Sequence, residues 1–268
     1  MMTVLLAAAI AAAPPSAPAS AVPAAKDGTP ALFVVRDSDT TVYIFGTFHA
    51  LDGKTNWFRN EVREAFNRSN ELVLETIIPE GPAPIALRQP LHAPSVTPSA
   101  SFLATTRMAI NAGKSQGMQV GHGADTVLRR AAELEGKRVE GLETLESQFA
   151  MFSRMPSAPP PSAPRAGEPV EEGSAMNALS ATMNHMQAAW SRGDQAIFVH
   201  MLDQLRRNSP DTYRMMFTER NGRWADWIAG RMQMPGVVFV AVGAGHLAGK
   251  DSLLVRLAEQ GIPSTRLN

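Results

Sequence analysis

The sequence contains no cysteine, which excludes disulfides, cysteine-ligated zinc, iron–sulfur clusters and a thiol nucleophile. Any metal must therefore be held by His, Asp and Glu. Net charge is absent as well, since 25 basic residues balance 25 acidic ones and the pI is about 7.0. Such a chain lacks the electrostatic footprint of a protein that works on nucleic acid or on an anionic membrane surface. Two catalytic signatures are missing: there is no His-Glu-x-x-His and no P-loop. The glycines at 243, 245 and 249 approach a dinucleotide fingerprint, but only 19 residues follow Gly249, too few for the rest of a βαβ unit and its ribose-binding acid. What is present is a globular composition, 268 residues with 44% apolar and 19% charged content, enough chain for a sizeable core in one or two domains.

The N-terminus reads as a targeting segment. Val4 to Ala13 is a ten-residue apolar run, followed by Pro14, Pro15 and the small-residue pattern Ala19-Ser20-Ala21, which suits signal peptidase. The run is about half the length a bilayer-spanning helix needs, so no integral span is expected after cleavage. No Lys or Arg precedes it, a departure from the usual signal. The expectation is a signal peptide over 1–21, a loose leader over 22–30, one domain over 31–268, and export to the periplasm.

Prolines divide the rest. Six of the 20 lie in 79–98 and six in 156–169; each removes a backbone donor and disfavours helix at the residue before it, so neither stretch is helix or central strand. The second, within 156–174, is expected to be a Pro-rich loop. Between them, Leu32 to Val35 and Thr41 to Phe45 read as an antiparallel hairpin around Asp37-Ser38-Asp39. Phe58, Val62, Ala65 and Phe66 share one face of a helix starting after Asn56, and Glu71 to Glu75 is a buried strand, suggesting a parallel pair across that helix. Helix over Asp125 to Glu135, strand over Lys137 to Gly141 and helix over Leu145 to Phe152 repeat the alternation. Ala175 to Met232 is mostly helical, Gly236 to Val242 is a central strand, and Asp251 to Gln260 is a closing helix. The expected fold is α/β: a central mixed, partly parallel sheet covered by helices, with an N-terminal β-hairpin and a helical insert.

Two segments share one form, a β-rich strand running into Gly-x-x-His: Gly46-Thr47-Phe48-His49 and Gly243-Ala244-Gly245-His246. Ligands of open α/β sheets bind outside the carboxyl ends of the strands, where glycine permits the sharp turn that brings a side chain back over the edge. Each histidine is placed where a ligand would be, although a histidine after a strand also serves simply to bond a loop carbonyl. Glu75 ends an apolar strand, where a carboxylate needs a cation or a donor unless the strand ends in water. Glu143 has the same form, and equally suits a helix N-terminus, where the dipole favours an acid. Arg220 lies among Met215, Met216, Trp224, Trp227 and Ile228, able to reach a substrate or an internal carboxylate, or to sit on the surface. Methionines on the helices read as adaptable packing.

Five strings in this order, GTFH at 46–49, LVLE ending at Glu75, Asp125 through GKRVEGLETLESQ to Gln148, ERNGRWADWI over 219–228 and VGAGHLAG over 242–249, resemble the TraB/GumN family, which includes the TIKI metalloproteases and is related to the erythromycin-esterase-like and ChaN-like group. The resemblance covers most of the chain from Leu32 onward. It implies an α/β fold in which His49, His246, Glu75 and Arg220 form one site, with Glu143 a further addition, and by similarity to TIKI a divalent-metal-dependent peptidase.

The expected function is a metal-dependent hydrolase of the cell envelope acting on a peptide or amide bond. His49, His246 and Glu75 would hold Mn, Co, Zn or Fe. Glu75 or Glu143 would act as general base, and Arg220 would stabilise the oxyanion. Asn221 would contact the substrate, a peptide or small molecule. The alternative is a non-catalytic envelope protein that binds a ligand or metal in the same pocket.

Overall fold

A computed structural model of the chain describes residues 29–77, 111–155 and 172–268. The expected signal peptide, most of the leader and both proline clusters lie outside the described residues. So does His92.

Six strands form one sheet in the order β4-β3-β5-β2-β1-β6. They are β1 (Leu32–Arg36), β2 (Thr40–Thr47), β3 (Glu71–Thr76), β4 (Arg138–Glu143), β5 (Gly236–Gly243) and the short β6 (Thr265–Arg266). β1 pairs antiparallel with β2, as the hairpin pattern predicts, and β6 pairs antiparallel with β1. β2, β5, β3 and β4 are mutually parallel neighbours. One expectation changes here. β2 and β3 run parallel but do not pair, because β5 returns from far along the chain and inserts between them. Strands from either side of both proline clusters thus share a single sheet.

β5 shows why it belongs in the middle. Val238, Val240 and Val242 are fully buried on one face, with Phe239 and Ala241 buried on the other. Each such side chain contributes about 1.5–3 kcal/mol when removed from water, and a strand apolar on both faces is stable only with helices above and below. The first face is covered by α7 (Glu219–Arg231) and α8 (Leu253–Glu259), through Trp224, Ile228, Leu253 and Leu257. The second packs against α1 (Asn60–Arg68), α2 (Ala124–Leu134), α3 (Leu145–Ser153), α4 (Glu172–Ser191) and α5 (Ala196–Asn208). Met183, Met186, Met201 and Met216 lie in this larger core, as packing residues.

Two boundaries shift. α1 begins at Asn60, four residues after Asn56, and α4 begins at Glu172, inside the stretch expected to be loop. Between α5 and α7 the chain runs through α6 (Pro210–Tyr213) and a π-helical turn over Arg214–Thr218, one of the wide turns that recur near functional sites. Among the described residues, no helix is long and apolar enough to cross a membrane.

Candidate functional site

Because β2, β5, β3 and β4 are parallel, their carboxyl ends meet at one edge. His49 follows β2 by two residues, Glu75 lies at the end of β3, Glu143 ends β4, and His246 sits in a 3-10 turn (Ala244–Leu247) after β5. Arg220 enters from the first turns of α7, and its side chain is 2% exposed. The structure therefore brings together every charged or imidazole residue singled out in the sequence.

Arg220 is the hub. Its Nε donates to both oxygens of Glu143 at 3.0 and 3.1 Å, and its Nη2 donates to Glu75 Oε2 at 3.0 Å. Nη1 donates to His246 Nε2 at 3.2 Å and, at 3.5 Å, to the Met216 carbonyl in the π-helical turn. The guanidinium also lies 4.5 Å from the Trp224 ring centroid, a cation–π contact. A guanidinium has five N–H donors and no acceptor, so these partners leave one Nη2 hydrogen uncommitted. The other four hold Glu143, Glu75, His246 and the Met216 carbonyl in one arrangement.

Since Arg220 can only donate, His246 Nε2 is the acceptor and its proton is on Nδ1, which donates to Asn221 Oδ1 at 2.7 Å. The Asn221 amide is oriented in turn by its Nδ2, which donates to the Asp251 carbonyl at 2.7 Å. Both ends of this 1% exposed side chain are thus used. Asn221 orients His246 from behind. Burial and the Arg220 charge together drive the His246 pKa down to about 3, Glu75 pulling the other way. His246 is neutral across the physiological range.

Glu75 is also buried, which alone would raise its pKa, but Arg220, the two histidines and the Gly243 N–H hold it down at about 2. Gly243 N donates to Glu75 Oε1 at 2.6 Å. Glu143 is the last residue of β4, bound by Arg220, by Arg223 at 3.3 Å and by Gln148 at 3.4 Å. The cap of α3 is instead Thr144, whose side chain accepts from Ser147. Glu143 thus answers to guanidinium groups and not to a helix N-terminus.

His49 differs from His246. Its side chain is 16% exposed, and Nδ1 faces Asp125 Oδ1 at 3.2 Å, an ion-pair distance without the alignment of a full hydrogen bond. Burial opposes the charged ring, yet Asp125 and Glu75 outweigh it and raise the pKa above the ordinary value. Asp125 was read in the sequence only as the start of a helix. It reaches His49 because Gly123 has no side chain: a β-carbon there would lie 2.1 Å from the His49 carbonyl oxygen. Gly243 performs the matching service opposite. A β-carbon on it would stand 3.0 Å from Glu75 Oε1 and 3.1 Å from His49 Nε2, so these two atoms converge on a bare stretch of backbone.

Of the six buried side-chain polar atoms that lack a hydrogen-bond partner among the described residues, four lie at this edge: Thr47 Oγ1, His49 Nδ1, Thr76 Oγ1 and Asp125 Oδ1. Thr47 pairs in register with Gly243, and Thr76 with Glu143. Neither threonine stands out in the sequence, since β-branched residues are ordinary at strand ends. Beside Glu143 a cavity of about 440 Å³ is lined by Leu142, Met151 and Met215 together with Arg154 and Arg223.

The expected metal set was His49, His246 and Glu75. The donor types suit a divalent ion, but the arrangement does not. His246 Nε2 and Glu75 Oε2 both receive Arg220, and Glu75 Oε1 receives the Gly243 N–H. Among the described residues no group of three His, Asp or Glu side chains is placed to hold a metal ion.

Comparison with known proteins gives one family. Neither the search of curated proteins nor that of solved structures finds a match. The model of the TraB/PrgY/gumN family matches residues 31–89 and 84–266, a span that holds all six strands and all of the strand-end cluster. This chain belongs to the TraB/PrgY/gumN family.

Proposed function

We propose that this protein is a hydrolase of the cell envelope acting on a peptide or amide bond, with His49 as the group that moves the proton. The observation that carries the reading is the approach of His49 Nε2 and Glu75 Oε1 to the same bare point at Gly243, with Asp125 behind the imidazole. A carboxylate on Nδ1 fixes the tautomer and leaves Nε2 free to accept. In this reading a water attacks the carbonyl carbon while His49 Nε2 takes its proton. The imidazolium, stabilised by Asp125 and Glu75, then returns that proton to the departing nitrogen as the C–N bond breaks. A base whose pKa lies near the working pH is best suited to both steps, and His49 is the partly exposed imidazole of the two.

Glu75 stays ionised throughout and acts through its charge. Arg220 holds Glu75, Glu143 and His246 in one arrangement. The unpartnered Thr47 and Thr76 hydroxyls supply polar contacts of the kind a peptide backbone requires. The cavity beside Glu143 falls within the range of about 300–1,000 Å³ usual for small-molecule sites, and its mixture of apolar walls and arginines suits a short peptide.

The test is a hydrolysis screen over blocked and free peptides, with wild type beside His49→Ala. A loss of about 10²- to 10⁴-fold in turnover is expected for removal of a general base, with the far-UV spectrum unchanged. An active wild type whose His49→Ala variant retains full turnover would sink the assignment. N-terminal sequencing of the protein recovered from the periplasm checks the envelope location, cleavage after Ala21 being the expected result.

A further inference from the structure

We infer that Arg220 is the resident cation of this site: its guanidinium takes the place that a divalent ion would hold between His246 and Glu75, so the site works without a bound metal. The inference rests on the reading of the strand-end cluster as the active site, and concerns what balances its charge.

Three observations carry it. The first is lone-pair occupancy. A metal between these residues would need His246 Nε2, whose single lone pair already accepts from Arg220, together with Glu75, whose oxygens accept from Arg220 and the Gly243 N–H and keep only their second lone pairs. The second is immobility. His246 is held through Nδ1 by Asn221 and lies between Phe217 and Trp224, at 4.8 and 4.4 Å between ring centroids, so its ring has no room to turn Nε2 elsewhere. Arg220 is equally fixed by Glu143, the Met216 carbonyl and Trp224. The third is charge. The two buried carboxylates already face two guanidinium groups, Arg220 within and Arg223 at the rim. A divalent ion would add positive charge to a low-dielectric site whose anions are balanced, which is costly. His49 Nε2 and the second lone pairs of Glu75 are what remain, fewer than the three protein ligands usual for catalytic zinc.

The experiment loads purified full-length protein with Zn²⁺, Mn²⁺ or Co²⁺ in turn, removes unbound ion by buffer exchange, and measures bound metal by elemental analysis. Thermal melting is followed with and without chelator. For the wild type the expected content is far below one equivalent, with a melting curve that chelator does not move. In Arg220→Met the guanidinium is gone, freeing His246 Nε2 and Glu75 Oε2. This variant should take up Co²⁺ toward one equivalent and show the visible absorption of an ion with imidazole ligands. Wild type that holds one equivalent, lost in the His49→Ala, His246→Ala double variant, overturns the inference. So does a folded Arg220→Met that still binds no cobalt. If Arg220→Met does not fold, the wild-type content and chelator response decide alone. The two readings fail separately: metal-dependent turnover keeps the hydrolase and removes the resident cation, whereas a metal-free protein with no activity on any peptide does the reverse.

Discussion

His49 and His246 leave neighbouring parallel strands by the same Gly-x-x-His spacing, and they end in opposite electrical states. Behind His49 stands a carboxylate, Asp125, and the ring is partly open. Behind His246 stands a neutral amide, Asn221; in front of it is a guanidinium; and the ring is buried. The first pKa is raised and the second is pushed to about 3. Backbone spacing delivers an imidazole to the sheet edge, and the neighbours brought by other elements decide whether it handles protons or only accepts a hydrogen bond. Glu75 draws both values upward, so the contrast is set by Asp125 on one side and by burial and Arg220 on the other.

The largest effect expected comes from removing the Glu75 charge, which acts on both imidazoles and on Arg220. Glu75→Gln keeps the shape but deprives Arg220 of one carboxylate inside the protein. Breaking a buried ion pair from one side typically costs about 3–5 kcal/mol, because the partner remains buried and less compensated. Here Glu143 still faces Arg220 through two oxygens, which places the expected loss toward the lower end of that range. Urea denaturation at pH 7 measures it. A variant as stable as wild type would show that Glu143 alone neutralises Arg220, and that the two histidines owe nothing to Glu75.

Much of this edge was legible in the sequence, and for a local reason. A β-branched run followed by glycine and then histidine announces both the strand and its turn, so His49 and His246 are found without tertiary knowledge. Glu75 and Arg220 stand out because a charge beside an apolar run needs a partner. What was not legible depends on distance along the chain. The insertion of β5 between β2 and β3 joins residues nearly 200 apart, for example Thr40 with Gly236, and no local pattern encodes it. Asp125 looks like any acid in the first turn of a helix until Gly123 lets it approach His49. Asn221 looks like a polar residue free for a substrate until both ends of its amide are found in use. The residue types at this edge are legible in the sequence; that Arg220 and the Gly243 N–H donate to His246 and Glu75 is a tertiary fact.

The pH dependence of stability sharpens the comparison, because the two histidines act with opposite sign. Unfolded His246 takes a proton near pH 6.5, which the folded residue refuses until about pH 3. The unfolded state therefore binds more protons in that window, and stability falls as pH drops through it. Glu75 adds to the same limb: its stabilisation is complete above about pH 4.5 and is lost as pH falls toward about 2. His49 works the other way. Its contribution is complete below pH 6.5 and is lost as pH rises through its raised folded value. Chemical denaturation at pH 4, 6.5 and 9 should give the highest stability near the middle, with the steeper fall on the acid side. Asp125→Asn should lower the His49 pKa, because the adjacent opposite charge is lost, and leave the acid limb untouched. NMR titration of the two imidazoles reads both values, and a shift of His246 in that variant would show that the two are not independent.

The smallest effect expected has an unusual sign. Thr47 Oγ1 is buried at the end of β2 without a hydrogen-bond partner among the described residues, on a residue that pairs with Gly243. Thr47→Val keeps the β-branched shape that suits the strand and deletes only the hydroxyl. An unsatisfied buried hydroxyl contributes nothing to offset its desolvation, so its removal should leave the protein unchanged or more stable by up to about 1 kcal/mol. The same change at a position that serves only the fold would end there. At the edge beside His49 and Glu75 it should also raise KM for a peptide substrate several-fold while leaving kcat nearly unchanged, since one hydrogen bond to substrate is lost and the proton-moving group is not. A variant that gains stability and keeps its KM would assign the Thr47 hydroxyl to the fold, leaving substrate contact at this edge to Thr76.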